Sequence, residues 1–269
     1  MNKIIKISIA GVTGRMGKMI AHSIFKNNKV TLVAATCSSK EVDFIGKNVG
    51  TLTSTSYKDV FVSSDPNDLL KGDVIIDFSS PESTINHAKL AAENNRSIVI
   101  GTTGLSVDDE KKLRQFSDKV SIVYSSNMSV GVNLLFDLVS EAIKKAGNDW
   151  DVEILEMHHN NKIDSPSGTA ISIGKIAAQA MGEDFELVSN FSRDGVVGKR
   201  KKNEIGFATM RGGSVVGEHT LVLASDNERI ELTHKAENRT IFANGAVRAA
   251  IWCFNKKPGL YNMQNVLET

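Results

Sequence analysis

Two histidines and a lysine lie within five residues of one another near the middle of the chain. His158, His159 and Lys162 are followed by a Ser-Pro-Ser-Gly-Thr run at residues 165–169. Imidazole can donate or accept a proton near neutral pH, and an ammonium group stabilises developing negative charge. These groups together predict a site that binds a small anionic substrate and protonates it.

The residues on either side of this cluster predict a strand-to-helix connection. Residues 151–155 alternate and are β-prone, whereas residues 170–181 carry alanine and isoleucine at helical spacing. Serine, threonine and proline are typical of helix starts, so the helix is expected to begin within the Ser-Pro-Ser-Gly-Thr run. The amides and the dipole at a helix start favour an anion. We therefore expect the histidines and the lysine in a polar loop that leads into an anion site. An ordinary polar loop is the alternative.

A glycine-rich segment near the N-terminus predicts a nucleotide site. Residues 3–10 have the apolar alternation of a strand, and residues 18–25 form an amphipathic helical pattern. Between them, residues 11–17 read Gly-Val-Thr-Gly-Arg-Met-Gly. The spacing G-x-x-G-x-x-G is a variant of the dinucleotide fingerprint, although a tight structural turn is the alternative.

The first half of the chain continues as strands that alternate with helices. Strands are predicted at residues 30–36, 74–79, 98–100 and 120–124, and helices begin after Ser80 and Ser106. This alternation predicts an α/β, Rossmann-like, doubly wound parallel sheet. Ligands bind at the carboxyl ends of such strands, where Gly11 and Asp77 lie along with residues 101–103 and 125–128.

The second half of the chain changes character. A long helix is predicted over residues 129–146, and strands at 205–210, 215–223 and 229–233 follow one another without helices. This order predicts a second α+β domain with an open, mixed and largely antiparallel sheet. A last helix is predicted over residues 244–254. We therefore expect a dinucleotide-binding domain at 1–128, a substrate-binding and oligomerisation domain at 129–237, and a C-terminal segment at 238–269 that returns to the first domain.

Composition narrows the classes of function. The net charge of +1 argues against nucleic acid or a membrane surface as the main partner. No apolar run reaches the roughly 18 residues of a membrane span, and the N-terminus lacks a signal-peptide layout. Cys37 and Cys253 lie far apart without metal-ligand spacing, so we expect a reduced, cytoplasmic protein without a metal. His219 and His234 fall in β-type runs and are expected to be hydrogen-bonded structural histidines.

Several segments carry a family resemblance. Residues 11–17, the Gly-Thr-Thr-Gly of 101–104 and the stretch 156–170 occur in one order, followed by 205–209, 217–220 and 242–248. Together they resemble the dihydrodipicolinate reductases, also called 4-hydroxy-tetrahydrodipicolinate reductases, of the diaminopimelate route to lysine. The resemblance implies NAD(P)H-dependent reduction of 4-hydroxy-tetrahydrodipicolinate to tetrahydrodipicolinate. It also implies a homotetramer built partly by the sheet of the second domain.

The resemblance also implies roles for individual residues. His158 matches the proton-donor position and Lys162 the second catalytic position, and which of them delivers the proton stays open. His159, Gly168 and Thr169 match contacts to the dicarboxylate substrate. The cofactor contacts that it implies are Gly11, Val12, Thr13, Gly14, Arg15, Met16, Gly101, Thr102, Thr103, Ser125, Ser126, Asn127 and Met128.

The end of the second predicted strand departs from the family pattern. Many members carry an acid there that fits the ribose hydroxyls of NADH, whereas this chain has Cys37-Ser38-Ser39-Lys40. Ser38 and Ser39 could instead donate hydrogen bonds to the 2′-phosphate of NADPH, and Lys40 and Arg15 could add positive charge. We predict use of both NADPH and NADH, with NADPH preferred about tenfold, or about 1.4 kcal/mol. A solvated turn without a preference is the alternative.

Other functional classes fit the residues less well. A metal-dependent hydrolase would need a third ligand beside His158 and His159, and no residue has that spacing. An aldehyde-oxidising dehydrogenase would need a cysteine nucleophile at a strand end, for which Cys37 and Cys253 are poorly placed. Another Rossmann-type NAD(P)-dependent oxidoreductase and a non-catalytic dinucleotide sensor remain as alternatives. A sensor would explain the glycine turn but not the His-Lys-Ser-Gly-Thr loop.

Overall fold

The computed structural model describes residues 3–57, 59–147 and 149–268, and within them the chain forms two compact units. Unit 1 consists of Met1–Val130 together with Thr240–Thr269, and unit 2 is Gly131–Arg239. Each unit has its own sheet and its own apolar core. No helix among the described residues combines the length and the apolarity needed to cross a bilayer.

The strands are β1 (Ile5–Ala10), β2 (Val30–Thr36), β3 (Val62–Ser63), β4 (Val74–Asp77), β5 (Ser97–Ile100), β6 (Ser121–Tyr124), β7 (Asp151–His158), β8 (Ser189–Asn190), β9 (Ile205–Arg211), β10 (Gly217–Ala224), β11 (Arg229–Ala236) and β12 (Gly259–Tyr261). The helices are α1 (Arg15–Phe25), α2 (Val49–Thr53), α3 (Pro81–Glu93), α4 (Val107–Ser117), α5 (Val130–Ala146), α6 (Gly168–Met181), α7 (Phe185–Val188), α8 (Thr240–Cys253) and α9 (Met263–Leu267), with a 3-10 helix at Pro66–Lys71.

The sheet of unit 1 is parallel throughout its described strands. Its order is β12-β6-β5-β4-β1-β2-β3, which confirms the predicted Rossmann-like, doubly wound fold. The chain winds away from β1 in both directions, so the strand order reverses between β1 and β4. Ala10 pairs with Asp77 across this point, which places the following residues of both strands at one edge of the sheet. Ligands bind at such an edge in open α/β sheets.

The strands of unit 1 are nearly all apolar because helices cover both faces of the sheet. Ile7 and Ile9 of β1 and Ile75 and Ile76 of β4 are fully buried. A parallel sheet buried on both faces requires such continuous apolar runs. Ser80 and Ser106 cap α3 and α4, as their sequence contexts predict.

The sheet of unit 2 is mixed, with the order β11-β10-β7-β9-β8. Strand β10 runs antiparallel to β7 and β11, whereas β7 is parallel to β9 and β9 to β8. The expectation of a largely antiparallel sheet is therefore only half right. The parallel pairing of β7 with β9 arises because the chain leaves β7 through α6 and returns by a crossover connection. Apolar residues of α5 and α6 pack against Ile154 and Leu221 on one face of this sheet.

The end of the chain contains two short elements that the sequence analysis did not predict. Strand β12 adds to the unit 1 sheet beside β6, with Leu260 opposite Ile122, and α9 follows it. Helix α8 begins at Thr240, earlier than the predicted start at residue 244, and α1 begins at Arg15 rather than at residue 18. Elements of three to five residues, such as β12 and α9, are too short to show a hydrophobic period.

Candidate active site

Strand β7 extends through His158, three residues beyond its predicted end at 155. The predicted placement of His158 in a polar loop is therefore wrong. Side chains alternate along a strand, so Glu156 and His158 share the face of Val152 and Ile154, which is the buried one. Glu156 is 1% exposed and His158 is 8% exposed. The prediction failed because polar residues at inward positions look like the end of an apolar pattern.

The carboxylate of Glu156 is the centre of a buried polar cluster. His158 Nδ1 lies 2.5 Å from Glu156 Oε2. Arg211 binds both oxygens through two nitrogens, at 2.9 Å each, and the Ser167 amide donates to Oε1 at 3.0 Å. Strand register explains the arrangement, because His158 pairs with Arg211 on β9. These hydrogen bonds offset the free-energy cost of removing the carboxylate from water.

These contacts determine the charges of the pair. Burial acts to raise the pKa of Glu156, but the hydrogen bonds from Arg211, His158 and Ser167 outweigh it and lower that pKa. Burial lowers the pKa of His158, although Glu156 opposes the shift. We therefore assign an ionised Glu156 and, in the free protein at neutral pH, a neutral His158. The carboxylate assigns the ring proton to Nδ1, which leaves Nε2 able to accept a proton.

His219 and Ser167 tie the start of α6 to this cluster. His219 is 4% exposed, and its Nε2 lies 2.9 Å from the hydroxyl of Ser167. Its ring meets the His158 ring edge-on, with centroids 5.1 Å apart. Burial is the main cause that lowers the pKa of His219 to about 3. Ser167 also caps α6, because its hydroxyl accepts from the amide of Ala170.

The loop that follows β7 carries the predicted lysine. Lys162 Nζ lies 2.8 Å from each carboxylate oxygen of Asp164, and its side chain is 18% exposed. The Lys162 hydrogen bond is the main cause that lowers the pKa of Asp164. Arg211 donates to the main-chain oxygen of Asp164 at 2.8 Å. The loop is therefore fixed to the Glu156 cluster on one side and leaves Lys162 near the surface on the other.

The predicted substrate contacts lie in two parts of unit 2. Gly168 and Thr169 are the first two residues of α6. His159 is half-buried, and its Nε2 lies 3.3 Å from Nη2 of Arg239. A guanidinium group can only donate, so this imidazole nitrogen is the acceptor. Sequence reasoning did not assign a role in the site to Glu156, Arg211 or Arg239. It also did not predict that His219 contacts Ser167 and His158. A strand boundary at His158 would have indicated Glu156, whereas no local pattern indicates the two arginines.

Most of the predicted cofactor residues line two cavities in unit 1. The larger cavity is about 560 Å³ and is lined by Gly14, Arg15, Met16, Phe78, Ser79, Gly101, Thr102, Thr103, Ser126, Asn127, Met128 and Phe242. The smaller cavity is about 370 Å³ and is lined by Gly11, Thr13, Gly14, Thr36, Cys37, Ser38, Glu41, Phe78, Ser79, Ser80, Ser83 and His87. Gly14, Phe78 and Ser79 line both, so the two cavities share a wall at the switch point of the sheet.

The glycine turn fits a dinucleotide. Gly11 has a φ of +82°, and a Cβ atom there would lie 2.4 Å from the main-chain oxygen of Phe78. A Cβ atom on Gly17 would lie 2.1 Å from the main-chain oxygen of Gly11. Only glycine lets the turn lie against β4 and lets α1 pack on the turn. A turn of this kind at the start of a helix is a cradle for a pyrophosphate.

A buried aspartate organises the edge of the larger cavity. Asp77 is fully buried at the end of β4 and accepts from the hydroxyls of Thr102, Thr84 and Ser79 at 2.7–3.1 Å. His87 Nδ1 lies 2.6 Å from its other oxygen. Asp77 therefore holds the loop after β5, which contains Thr102, in place beside the cavity.

The remaining predicted cofactor residues lie elsewhere. Val12 is fully buried beneath the turn, and the Ser125 hydroxyl donates to the main-chain oxygen of Asn127. Lys40 is exposed, and its amide donates to the Ser38 hydroxyl at 3.3 Å. Neither cavity described above is lined by these three residues. Among residues 3–57, 59–147 and 149–268, no three His, Cys, Asp or Glu side chains form a group that could hold a metal ion.

Comparison with known families identifies the fold and the chemistry together. The family model for the N-terminus of dihydrodipicolinate reductase matches residues 5–128, and the model for its C-terminus matches residues 131–267. The chain belongs to the dihydrodipicolinate reductase family. As a member of this family it is an oxidoreductase that uses NAD(P)H to reduce 4-hydroxy-tetrahydrodipicolinate to tetrahydrodipicolinate in the diaminopimelate route to lysine.

Solved structures share the fold of this reductase. A dihydrodipicolinate reductase from Paenisporosarcina sp. TG-14, bound to dipicolinate, matches with a TM-score of 0.78 and 24% identity over 98% of this chain and 99% of that one. An amine dehydrogenase from Mycobacterium smegmatis matches with a TM-score of 0.62 and 12% identity, over 97% and 95% of the two chains. A probable dehydrogenase from Thermotoga maritima gives 0.61 and 12%, over 97% and 92%. The architecture is thus common to dehydrogenases with other substrates.

Proposed function

We propose that His158 and Lys162 are the catalytic residues of this reductase, and that His159, Gly168 and Thr169 bind the dicarboxylate substrate. The observation that carries the proposal is the buried Glu156–His158 pair on the strand that leads into the lysine loop and α6. The solved relative with bound dipicolinate supports a dicarboxylate ligand, because dipicolinate is itself a dicarboxylate. Arg239, which contacts His159, adds a second cation for a carboxylate.

The 4-hydroxyl and a hydrogen of the neighbouring ring carbon leave together as water, which gives a conjugated carbon–nitrogen system. Its reduction then consumes one hydride and one proton. When bound, the reduced nicotinamide supplies the hydride. Residues of the chain must then hold the dianion and deliver the proton to the ring carbon next to the one that receives the hydride, because the hydride makes that neighbouring carbon electron-rich. A cationic Lys162 stabilises the negative charge that develops on the conjugated carbon–nitrogen system.

We propose that substrate binding changes the charge of His158. The ring is neutral in the free protein because burial lowers its pKa. A dianion nearby raises the pKa of an imidazole, and the ionised Glu156 stabilises the resulting imidazolium through Nδ1. The proton taken up at Nε2 is the one that His158 delivers. Glu156 and Arg211 are positioning residues in this scheme, because they act on the substrate only through His158 and the loop.

Substitution of the two catalytic residues tests this assignment. His158→Ala and Lys162→Ala should each reduce turnover on the order of 10²-fold, with Lys175→Ala, an exposed lysine on α6, as the control. Turnover is measured as NAD(P)H oxidation that depends on freshly made dihydrodipicolinate synthase product, with a chelator present. Near-normal turnover in both variants would place the active site elsewhere.

We propose that the cofactor is bound by unit 1 and that both NADPH and NADH are used. The glycine turn, the larger cavity and its Gly-Thr-Thr edge support a nicotinamide dinucleotide. Lys40 and Ser38, with Arg15, favour the 2′-phosphate of NADPH. The tenfold preference for NADPH stays a prediction. Lys40→Ala should lower the ratio of kcat/KM for NADPH to that for NADH, and an unchanged ratio would exclude the role of Lys40.

We also propose a homotetramer in the cytoplasm. Helices α5 and α6 cover one face of the unit 2 sheet, whereas Leu155, Met157 and Val222 of the other face are only half-buried and Met210 is 45% exposed. Partly exposed apolar side chains grouped on one face of a sheet are typical of a subunit interface. The reduced, buried thiols of Cys37 and Cys253 fit a reducing compartment. Analytical ultracentrifugation of the wild type and of Met157→Lys tests the tetramer.

A further inference from the structure

An acid lies at the end of β2 even though the strand end itself has none. After Ser38 the chain turns back, and the amide of Glu41 donates to the main-chain oxygen of Ser38 at 2.9 Å. This turn returns the Glu41 carboxylate to the strand end. Its Oε2 accepts from the Ser38 amide at 3.1 Å, and its Oε1 accepts from the Thr13 hydroxyl at 2.8 Å.

The position of this carboxylate is that of a ribose contact in dinucleotide-binding sheets. The main-chain oxygen of Thr36 accepts from the amides of Gly11 and Val12, so the end of β2 lies directly against the glycine turn. Glu41 lines the smaller cavity with Gly11 and Ser38. In such folds the acid that binds the ribose hydroxyls of NADH comes from this corner. Burial is the larger cause that raises the pKa of the Cys37 thiol, and the negative charge of Glu41 is the second. The charge of Glu41 therefore acts on the end of β2.

We propose that Glu41 is a specificity-determining residue that accepts from the ribose 2′-hydroxyl of NADH and repels the 2′-phosphate of NADPH. This inference rests on the proposed cofactor site in unit 1. A carboxylate offers about four lone-pair positions, so Glu41 can accept a further hydrogen bond beside those from Thr13 and Ser38. A phosphate at the same place faces a like charge, which costs free energy in a partly enclosed site.

Glu41 opposes its neighbour Lys40. The lysine charge attracts a 2′-phosphate and the glutamate charge repels it, so neither cofactor is strongly excluded. The cofactor preference of the wild type is the difference between these two effects. The tenfold preference for NADPH was predicted from the lack of an acid at residues 37–40. We now expect a smaller preference, because the turn after Ser38 returns the Glu41 carboxylate to the strand end.

Fragments of the cofactor test this role without turnover. Affinities for 2′,5′-ADP, which carries the 2′-phosphate, and for 5′-AMP, which lacks it, are measured by calorimetry on the full chain. Glu41→Gln should increase the affinity for 2′,5′-ADP relative to 5′-AMP about tenfold, or about 1.4 kcal/mol. Asp43→Asn is the matched control, because Asp43 is an exposed acid in the same turn and lines neither of the two cavities. Its ratio should stay at the wild-type value.

The outcomes separate this inference from the proposed function. An unchanged ratio in Glu41→Gln overturns the role of Glu41 and makes its carboxylate a structural clamp on the turn. An equal change of the affinity ratio in Glu41→Gln and Asp43→Asn also overturns the role of Glu41, since the loss of any negative charge near the site then explains the result. Failure of both fragments to bind the wild type overturns the cofactor site and this inference with it. If only Glu41→Gln changes the affinity ratio, Glu41 keeps its role even where His158→Ala and Lys162→Ala retain normal turnover. That combination of results refutes the proposed catalytic residues alone.

Discussion

Nδ1 of His158 lies 2.5 Å from Oε2 of Glu156, two residues earlier on the same strand. The contact is direct because both side chains lie on the buried face of β7. It links the proposed proton donor to Arg211, which binds the same carboxylate from β9. The chemistry of the imidazole is therefore coupled to the ion pair between Glu156 and Arg211.

Loss of the Glu156 charge should change the pH dependence of the reaction. Glu156 raises the pKa of His158, so Glu156→Gln should lower that pKa and shift the alkaline limb of the kcat profile to lower pH. Turnover at neutral pH should fall on the order of tenfold or more. Glu218→Gln on β10, where the acid pairs with the exposed Lys235, is the control. A uniform loss of rate without a shift of the limb would mean that Glu156 only stabilises the fold.

A methyl group at Gly217 should displace the His158 ring. A Cβ atom there would lie 2.9 Å from His158 Nε2, closer than side chains tolerate. Because small displacements of a catalytic group are costly, we expect Gly217→Ala to lower kcat on the order of tenfold. Gly212→Ala is the control, since its Cβ atom would meet the movable Met157 methyl group at 3.1 Å. Equal kinetics in the two variants would argue against a role for the ring position.

Removal of the Asp164 carboxylate should strengthen substrate binding. Asp164 holds Lys162 through two contacts of 2.8 Å and competes with a dicarboxylate for the ammonium group. An exposed pair of this kind is worth about 0.2–1 kcal/mol, so Asp164→Asn should lower the Kd for dipicolinate roughly 1.5- to 5-fold. Asp151→Asn, which breaks a similarly exposed pair with Arg200, is the control. Weaker binding of dipicolinate by Asp164→Asn would show that Asp164 instead orients the lysine for the substrate.

The stability of the protein should fall as the pH decreases from about 6.5, in part because of His219. Burial lowers the pKa of His219 from 6.5 to about 3 in the folded state. Between these values the unfolded chain binds a proton that the folded chain does not, so the free energy of unfolding rises with pH by up to about 1.4 kcal/mol per unit from this group. His158 and His234, whose pKa values burial also lowers, contribute in the same direction.

Urea unfolding of His219→Gln at several pH values isolates that contribution. Between pH 6 and 5 the stability of the variant should depend less steeply on pH than that of the wild type, by about one proton. Measurements above pH 5 avoid the titration of Glu156, whose lowered pKa removes stability only in more acidic solution. Parallel pH dependences for the two proteins would mean that His219 is protonated in the folded state.

The architecture of unit 1 could be predicted from the sequence because its signals are local. Apolar runs, the glycine turn after β1 and the serine caps of α3 and α4 each depend on neighbouring residues only. The family resemblance likewise rests on contiguous segments, which is why fold and reaction could be predicted. The placement of His158 in a loop was wrong for the same reason, since a local pattern does not reveal which polar residues a sheet buries.

Contacts between residues that are distant in the sequence depend on how the strands and turns pack. Arg211 reaches Glu156 because the register of β7 and β9 pairs it with His158, and that register is set by the packing of a whole sheet. Glu41 reaches Thr13 because the turn after Ser38 folds back onto the glycine turn. Both contacts join residues far apart in the chain, and only the burial of the apolar core brings them together.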